Sequence, residues 1–396
     1  MKQILFFFAV CIIFLSRIIA QPAQDKAPTV FETLIFLPQA QHSHGSSIVN
    51  LPNGDILAAW FQGNGERTAD DVKIMGARLT KGTTVWSAPF VMADTYNFPD
   101  CNPVLFLNNH NKLFLVWIAV QEHKWEHSLL RYRTSVNYED SGPPNWNWQE
   151  NILLAPKDSF AMETSNKFKQ LIKNTSGDGG YAPKYDDMII EASGDPAKRS
   201  TGWMTRIKPL KLSSGRILLP LYSDGFNMSM IAISDDDGDT WDASLPIVGR
   251  GNVQPALVQK KNGNIVAYMR DNGDEPNRVQ ISESADNGHS WSAAQKTTIP
   301  NTASVELIRL KDNRWAFVGD DEDDGRYRLS LYLSDDEGQT WKWKKTLENN
   351  RVENGSFSYP CLIQTNDGLL HISYSYSLPK IGESIKYVVV DPKLIN

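Results

Sequence analysis

The sequence has little cysteine, no surplus of positive charge, and one long apolar run confined to its first twenty residues. Three Cys in 396 residues are too few for a disulfide scaffold. Lys and Arg number 40 against 46 Asp and Glu, a formal net charge of −6. A phosphate-backbone binder carries a basic surplus, so nucleic acid is excluded as the expected partner. No segment beyond the leader reaches the roughly 18–20 apolar residues that a membrane-spanning helix needs. No phosphate-cradling Gly-rich loop and no dinucleotide fingerprint occurs, so no organic cofactor is implied. Gly and Pro, at 26 and 21 residues, are near average, which excludes collagen-like and low-complexity chains.

What is present is a globular composition, 41% hydrophobic and 22% charged, with an amino-terminal leader. Lys2 precedes an apolar run from Ile4 to Leu15, and the small residue Ala20 precedes Gln21. A basic start, a short apolar core and a small residue read as a secretory signal spanning 1–20, which implies a secreted or periplasmic protein. Cleavage leaves Cys101 and Cys361, and the sequence does not say whether they pair. Asn174, Asn227 and Asn354 each open an Asn-x-Ser sequon, relevant only in a eukaryotic secretory route.

From residue 21 onward the chain reads as short β runs separated by turn signals. An apolar run, a turn with Gly or Asn, and a second apolar run recur six times: Ser46–Phe61, Pro103–Ile118, Pro209–Tyr222, Pro255–Arg270, Val305–Asp320 and Pro360–Ser375. Three of these are followed by Ser-x-Asp-x-Gly-x-Thr/Ser-Trp, at Ser234–Trp241, Ser284–Trp291 and Ser334–Trp341. Even spacing of this kind marks stacked or radial repeats. In each copy the Asp is suited to bond turn amides, the Gly to a positive φ, and the Trp to packing between sheets. Six hairpins, each followed by another strand pair, predict an all-β, six-bladed propeller, a closed ring that protects its strand edges. A pair of β-sandwiches is the alternative. The strand near Val30–Leu37 is expected to pair with Ile385–Val390 and close the ring. The polar segment near 156–202 reads as a loop insertion, not a second domain.

Aligning the hairpins on their turns makes the residues before each first apolar run equivalent. They are His44, Asn102, Lys208, Gln254, Ser304 and Tyr359, with Asp100 close by. First strands of propeller blades line the central channel, and convergent polar groups in a concave site signal a ligand. Arg270 closes the fourth hairpin, and Arg326 opens the strand before the last Trp repeat, with Arg328 as a near competitor. Glu66 and Arg67 are rim candidates, and Trp60, Trp117 and Trp125 are candidates either to stack on sugar rings or to fill blade cores. His42 and His44 share a strand face, but no third ligand is visible, so no metal is expected. The acidic run Asp320–Asp324 reads as a solvated loop.

The three Trp repeats and six hairpins resemble the sialidase superfamily, in its BNR/Asp-box branch of secreted bacterial proteins. The resemblance covers about Thr29 to Lys386. It implies a sialidase-like propeller in which Arg270 and Arg326 are the second and third carboxylate-binding arginines. It also implies Tyr359 as the nucleophile and Asp70 or Asp71 as the acid/base. Two positions depart from the pattern. His44-Gly45-Ser46 stands where the family's first Arg is expected, and Gln254 stands where a Glu would activate the Tyr. The leading expectation is a glycoside hydrolase that removes a terminal acidic sugar from glycans, with substrate contacts from Arg270, Arg326, Gln254, Lys208, Asn102 and Asp100. In the second, a polysaccharide lyase acts on a uronate-containing glycan, and His44, Lys208 and Tyr359 share the proton transfers. In the third, a non-catalytic propeller binds glycan.

Overall fold

The computed structural model describes residues 28–171 and 183–395. The expected leader, 1–20, and the Asn174 sequon lie outside the described residues. Among the described residues the strands form six antiparallel sheets, the blades of a six-bladed β-propeller. Blade one comprises His42–Asn50, Ile56–Gly63, Lys73–Leu79 and Phe90–Ala93. Blade two comprises Asp100–Leu107, Leu113–Val120, Ser128–Ser135 and Trp148–Asn151. In blade three the inner strand is broken into Met204–Thr205 and Leu210–Lys211, both paired with Ile217–Ser223, and Met228–Ser234 and Asp242–Ala243 follow. Blade four runs from Asn252–Gln259 to Gln295–Pro300, and blade five from Glu306–Arg309 to Trp343–Asn349. Blade six carries Ser356–Gln364, Leu370–Leu378 and Gly382–Val390. As expected, its outermost strand comes from the other end of the fold: Thr29–Leu34 pairs from Leu34 with Lys386 to Thr29 with Val390.

Burial falls from the axis outward. Leu113–Val120 is buried at every position, whereas Trp148–Asn151 at the edge of the same blade is mostly exposed. An unbroken apolar run suits a strand covered on both faces, and polar outer strands suit the solvent rim.

The segment expected as a plain loop is largely helical, with helices Asp158–Gln170, Pro183–Ser193 and Pro196–Arg199 between blades two and three. Its polar composition belongs to the outer faces. Phe160, Thr164 and Phe168, four residues apart, are buried on one face. Phe160 meets Trp203 and Phe226 edge-on, at centroid distances of 6.0 and 5.6 Å.

The three Trp repeats act as spacers between blades. In each, the Ser hydroxyl bonds the Asp and takes the Gly amide, while the Asp takes the amide and hydroxyl of the Thr or Ser. The hydroxyl and amide of Thr340 hold the Asp336 carboxyl down at about 2. Each knotted turn rests on the preceding blade: Gly238 faces Phe114 and Gly288 faces Leu218. Cys101 and Cys361 are buried free thiols. Among the described residues no helix is long and apolar enough to cross a membrane.

Gly238 has φ +97, and a Cβ there would stand 2.7 Å from Phe114 Cζ. Gly238→Ala is therefore expected to destabilise the fold by about 1–3 kcal/mol and to lower the thermal midpoint by a few degrees. Differential scanning calorimetry checks this.

Candidate active site in the central channel

Four inner strands share one irregularity. Between His44 and Ser47, three steps along blade one match two on its partner, Phe61 to Ala59. The same one-residue excess occurs at Cys101–Val104, Val253–Ala256 and Ser358–Cys361. These are β-bulges, and each contains a residue in the left-handed region: Gly45 (φ 65), Asn102 (φ 52), Gln254 (φ 56) and Tyr359 (φ 57). For a non-glycine residue that conformation costs about 1–2 kcal/mol. The bulge re-aims side chains at the axis, where ordinary pleating would send alternate residues into the blades.

The bulges surround a cavity of about 280 Å³ to which all six blades contribute. His44 and Glu66 come from blade one, Asn102 and Trp125 from blade two, and Tyr222 and Asp224 from blade three. Gln254, Arg270 and Asn272 come from blade four, Arg326 from blade five and Tyr359 from blade six. Val253 is the one aliphatic among the described lining residues.

Tyr359 is the centre of the arrangement. Its hydroxyl accepts from Arg270 Nη1 and from Gln254 Nε2, each at 3.2 Å. Both acceptor positions are thus used, and its own proton is left to donate elsewhere. The Arg326 guanidinium lies 5.4 Å from the ring centroid, and the Arg206 guanidinium 4.8 Å. His44 packs against the same ring at 4.1 Å between centroids. Burial, and then the charges of His42, Arg326, Arg206 and Arg270, push the His44 imidazole well below 6.5, so it is neutral. Asn102 Nδ2 donates to the Tyr222 hydroxyl at 3.0 Å. Burial, then the nearby Asp224 and Tyr359, push that phenol well above 10, so Tyr222 is a neutral donor.

Two carboxylates stand at the cavity. Glu66 Oε1 lies 3.4 Å from His42 Nε2, and His42 Nδ1 lies 2.8 Å from Glu383 Oε2. Burial opposes the His42 charge, but Glu383 and Glu66 outweigh it and raise the imidazole to about 9. Asp224 is at the open rim, and the surrounding protein raises its carboxyl against the pull of Arg270 and Arg67. Behind the arginines sits Asp320, fully buried with neither oxygen bonded. Burial drives it well above the carboxylate range despite Arg326 and Arg270. The acidic run read as a solvated loop thus begins inside the protein, because Asp320 ends the second strand of blade five.

The structure brings His44, Asn102, Gln254, Arg270, Arg326 and Tyr359 around one cavity, with Glu66 from the rim set and Trp125 from the stacking set, while Trp60 and Trp117 are buried in the blades. Other sequence candidates lie elsewhere. Asp71 accepts from the amide and side chain of Asn64, and Asp70 pairs with His123 at 2.7 Å. Both are exposed, because their loop folds on itself. Asp100 is buried against Trp117 Nε1 (2.8 Å) and the Thr95 amide (2.6 Å), where it pins the blade. Lys208 is not a lining residue: it pairs with Glu306 at 2.8 Å and bonds the Leu362 carbonyl. The break in the blade-three inner strand shifts its alignment, and Arg206, two residues earlier, is the residue that meets Tyr359. Ser304 is buried outside the lining. Arg328 pairs with Glu322 at 2.6 Å, and Arg67 stands over Trp125 at 5.5 Å. Tyr222 and Asp224 escaped sequence reasoning. The signal was available, since they end the blade-three hairpin where Arg270 and Asn272 end that of blade four. Among the described residues no group of three His, Cys, Asp or Glu could hold a metal.

A closed six-bladed ring with an arginine- and tyrosine-lined axial cavity places the molecule among the sialidase-like propellers, and structural comparison agrees. A protein of unknown function from Dyadobacter fermentans matches with a TM-score of 0.66 at 15% identity, over 92% of this chain and 98% of that one. The Hadza microbial sialidase Hz136 matches with 0.64 at 15% identity, over 89% and 66%. The intramolecular trans-sialidase of Ruminococcus gnavus matches with 0.64 at 13% identity, over 91% and 97%. Identity this low shows the fold alone. No curated protein matches the chain in sequence. The BNR repeat-like domain model matches residues 54–181 and 196–372, more than half of the chain, and the protein belongs to that family.

The His42 pair has a pH signature. Its folded value, about 9, lies above the ordinary 6.5, so its stabilisation is fully present below pH 6.5 and is lost as pH rises through 9. The difference in thermal midpoint between wild type and His42→Gln is therefore expected to be largest near pH 6 and to close above pH 9. A melting series across that range tests it.

Proposed function

We propose that the protein binds an acidic glycan and hydrolyses the glycosidic bond of a terminal acidic sugar. The observation that carries this reading is the pair Arg270, at the Tyr359 hydroxyl, and Arg326, over its ring, in a cavity with almost wholly polar walls. Guanidinium forks match a carboxylate in geometry and charge. With the sugar acid held there, Tyr359 Oη faces the anomeric carbon. Attack forms an oxygen–carbon bond and breaks the bond to the leaving oxygen. The Tyr359 proton passes to neutral His44, and the leaving oxygen takes one from Asp224, the rim carboxyl that the surrounding protein holds toward its protonated form. Water then attacks the anomeric carbon and gives one proton to Asp224, and the tyrosyl–sugar bond breaks as His44 returns its proton to Tyr359 Oη. Negative charge arising on Oη during the first step meets Arg270 Nη1. The leader at 1–20 supports action outside the cytoplasm.

One observation favours a second reading. The Tyr359 hydroxyl has Gln254 as partner, not a carboxylate, and a neutral imidazole packs beside it. That set suits β-elimination on a uronate: His44 removes the proton α to an arginine-neutralised carboxylate, and Tyr359 protonates the departing oxygen.

The experiment is an incubation of purified protein with a panel of sialylated and uronate-containing glycans, read together by reducing ends and by ultraviolet absorbance. Released sugar without new absorbance is the expected result. New absorbance, from the double bond that elimination leaves, would replace hydrolysis with lyase action. Binding without either product would leave a glycan-binding propeller. Arg270→Gln and Tyr359→Phe are each expected to lower kcat/KM by about 100-fold or more, Arg270→Gln partly through KM and Tyr359→Phe through kcat with ligand affinity kept.

A further inference from the structure

Arg206 is fully buried and has no carboxylate partner among the described residues. A bare guanidinium in such a place costs several kcal/mol unless its donors are satisfied. Here the Nη donors go to backbone, while Nε has no partner among the described residues. Nη2 donates to the Tyr359 carbonyl at 2.6 Å and to the Pro360 carbonyl at 3.4 Å, and Nη1 donates to the Ser46 carbonyl at 3.2 Å. These acceptors belong to two of the four bulges, in blades six and one, where the irregular register takes carbonyls out of the ladder. Arg206 itself comes from the break in blade three, so its side chain is a strut across the channel. Its guanidinium also faces the Tyr359 ring at 4.8 Å.

Tyr359 needs such a strut. A bulky aromatic at φ 57 is strained, and its followers Pro360 and Cys361 offer no polar side chain to hold it. We infer that Arg206 is a positioning residue, which fixes the left-handed Tyr359 backbone by its carbonyl and the ring by its face, so that the hydroxyl is delivered to Arg270 and the bound sugar. The inference rests on the proposed role of Tyr359, but its structural half is independent of any activity.

The test takes Arg206→Met and Arg206→Lys in the full-length protein. A crystal structure of each variant is expected to show Tyr359 relaxed out of the left-handed region, with its hydroxyl no longer within hydrogen-bond distance of Arg270. On the substrate found with the panel, kcat is expected to fall by about 10- to 100-fold with KM nearly unchanged, because the carboxylate contacts remain. Arg206→Met should lose more than Arg206→Lys, which keeps one carbonyl bond. If Arg206→Met does not fold, Arg206→Lys carries both readouts. A variant structure that keeps Tyr359 at positive φ and bonded to Arg270, or an unchanged kcat, overturns the inference. Should the wild type turn over nothing, the proposed reaction fails, while the crystal structures still decide the position of Tyr359.

Discussion

The site depends on one extra residue in each of four inner strands. A regular propeller strand alternates its side chains between the two faces of its blade, so that few can reach the axis. The bulge at His44–Ser47, Cys101–Val104, Val253–Ala256 and Ser358–Cys361 breaks the alternation at the same height around the ring. It gathers an imidazole, two amides and a phenol at one level of the channel. The local cost is a left-handed backbone at Asn102, Gln254 and Tyr359. The closed ring covers that cost, since each strand is held by its own sheet below the bulge and by a neighbouring blade on either side.

Charge at the axis follows from this crowding. Arg206, Arg270 and Arg326 approach one tyrosine ring or its hydroxyl, and the groups packed among them take neutral forms. His44 is held unprotonated by burial first and by neighbouring charges second, whereas burial holds Asp320 protonated against the pull of Arg326 and Arg270. The remaining negative charge is displaced to the rim, at Glu66 beside His42. The result is a positive floor beneath an acidic rim.

The fold was largely legible in the sequence because its signals are local and repeated. Each hairpin has its own apolar runs and turn, and the Trp repeats declare their hydrogen bonds through Ser, Asp and Gly. The ring-closing strand was legible as a leftover β run at each end. The site was legible only where the alignment was uninterrupted. Asn102, Gln254 and Tyr359 each precede a Pro within a regular hairpin, and they meet in space. Lys208 also precedes a Pro, but the strand break in blade three shifts its register, and nothing in the spacing of Thr205 to Leu210 shows that. Asp70 and Asp71 illustrate a second limit: a loop's turn chemistry decides which carboxylate faces inward, and Asn64 captures Asp71 locally. Phe160, Thr164 and Phe168 illustrate a third, since a short amphipathic face is masked by the polar residues of its outer side.

The closing strand also sets an order of events. Thr29 finds its register partner only at Val390, so the first strand of the ring waits, unpaired in its final sheet, until Val390 has left the ribosome. Blades one to five can collapse as local meanders in the meantime, because each is contiguous or nearly so along the chain. Blade six cannot, and the strand Thr29–Leu34 is offered to any passing sheet edge until Gly382–Val390 arrives. The channel level that holds Tyr359 belongs to that last blade. The binding cavity is therefore finished at the end of folding, and a chain halted a few strands early would fold most of its mass while having no site at all.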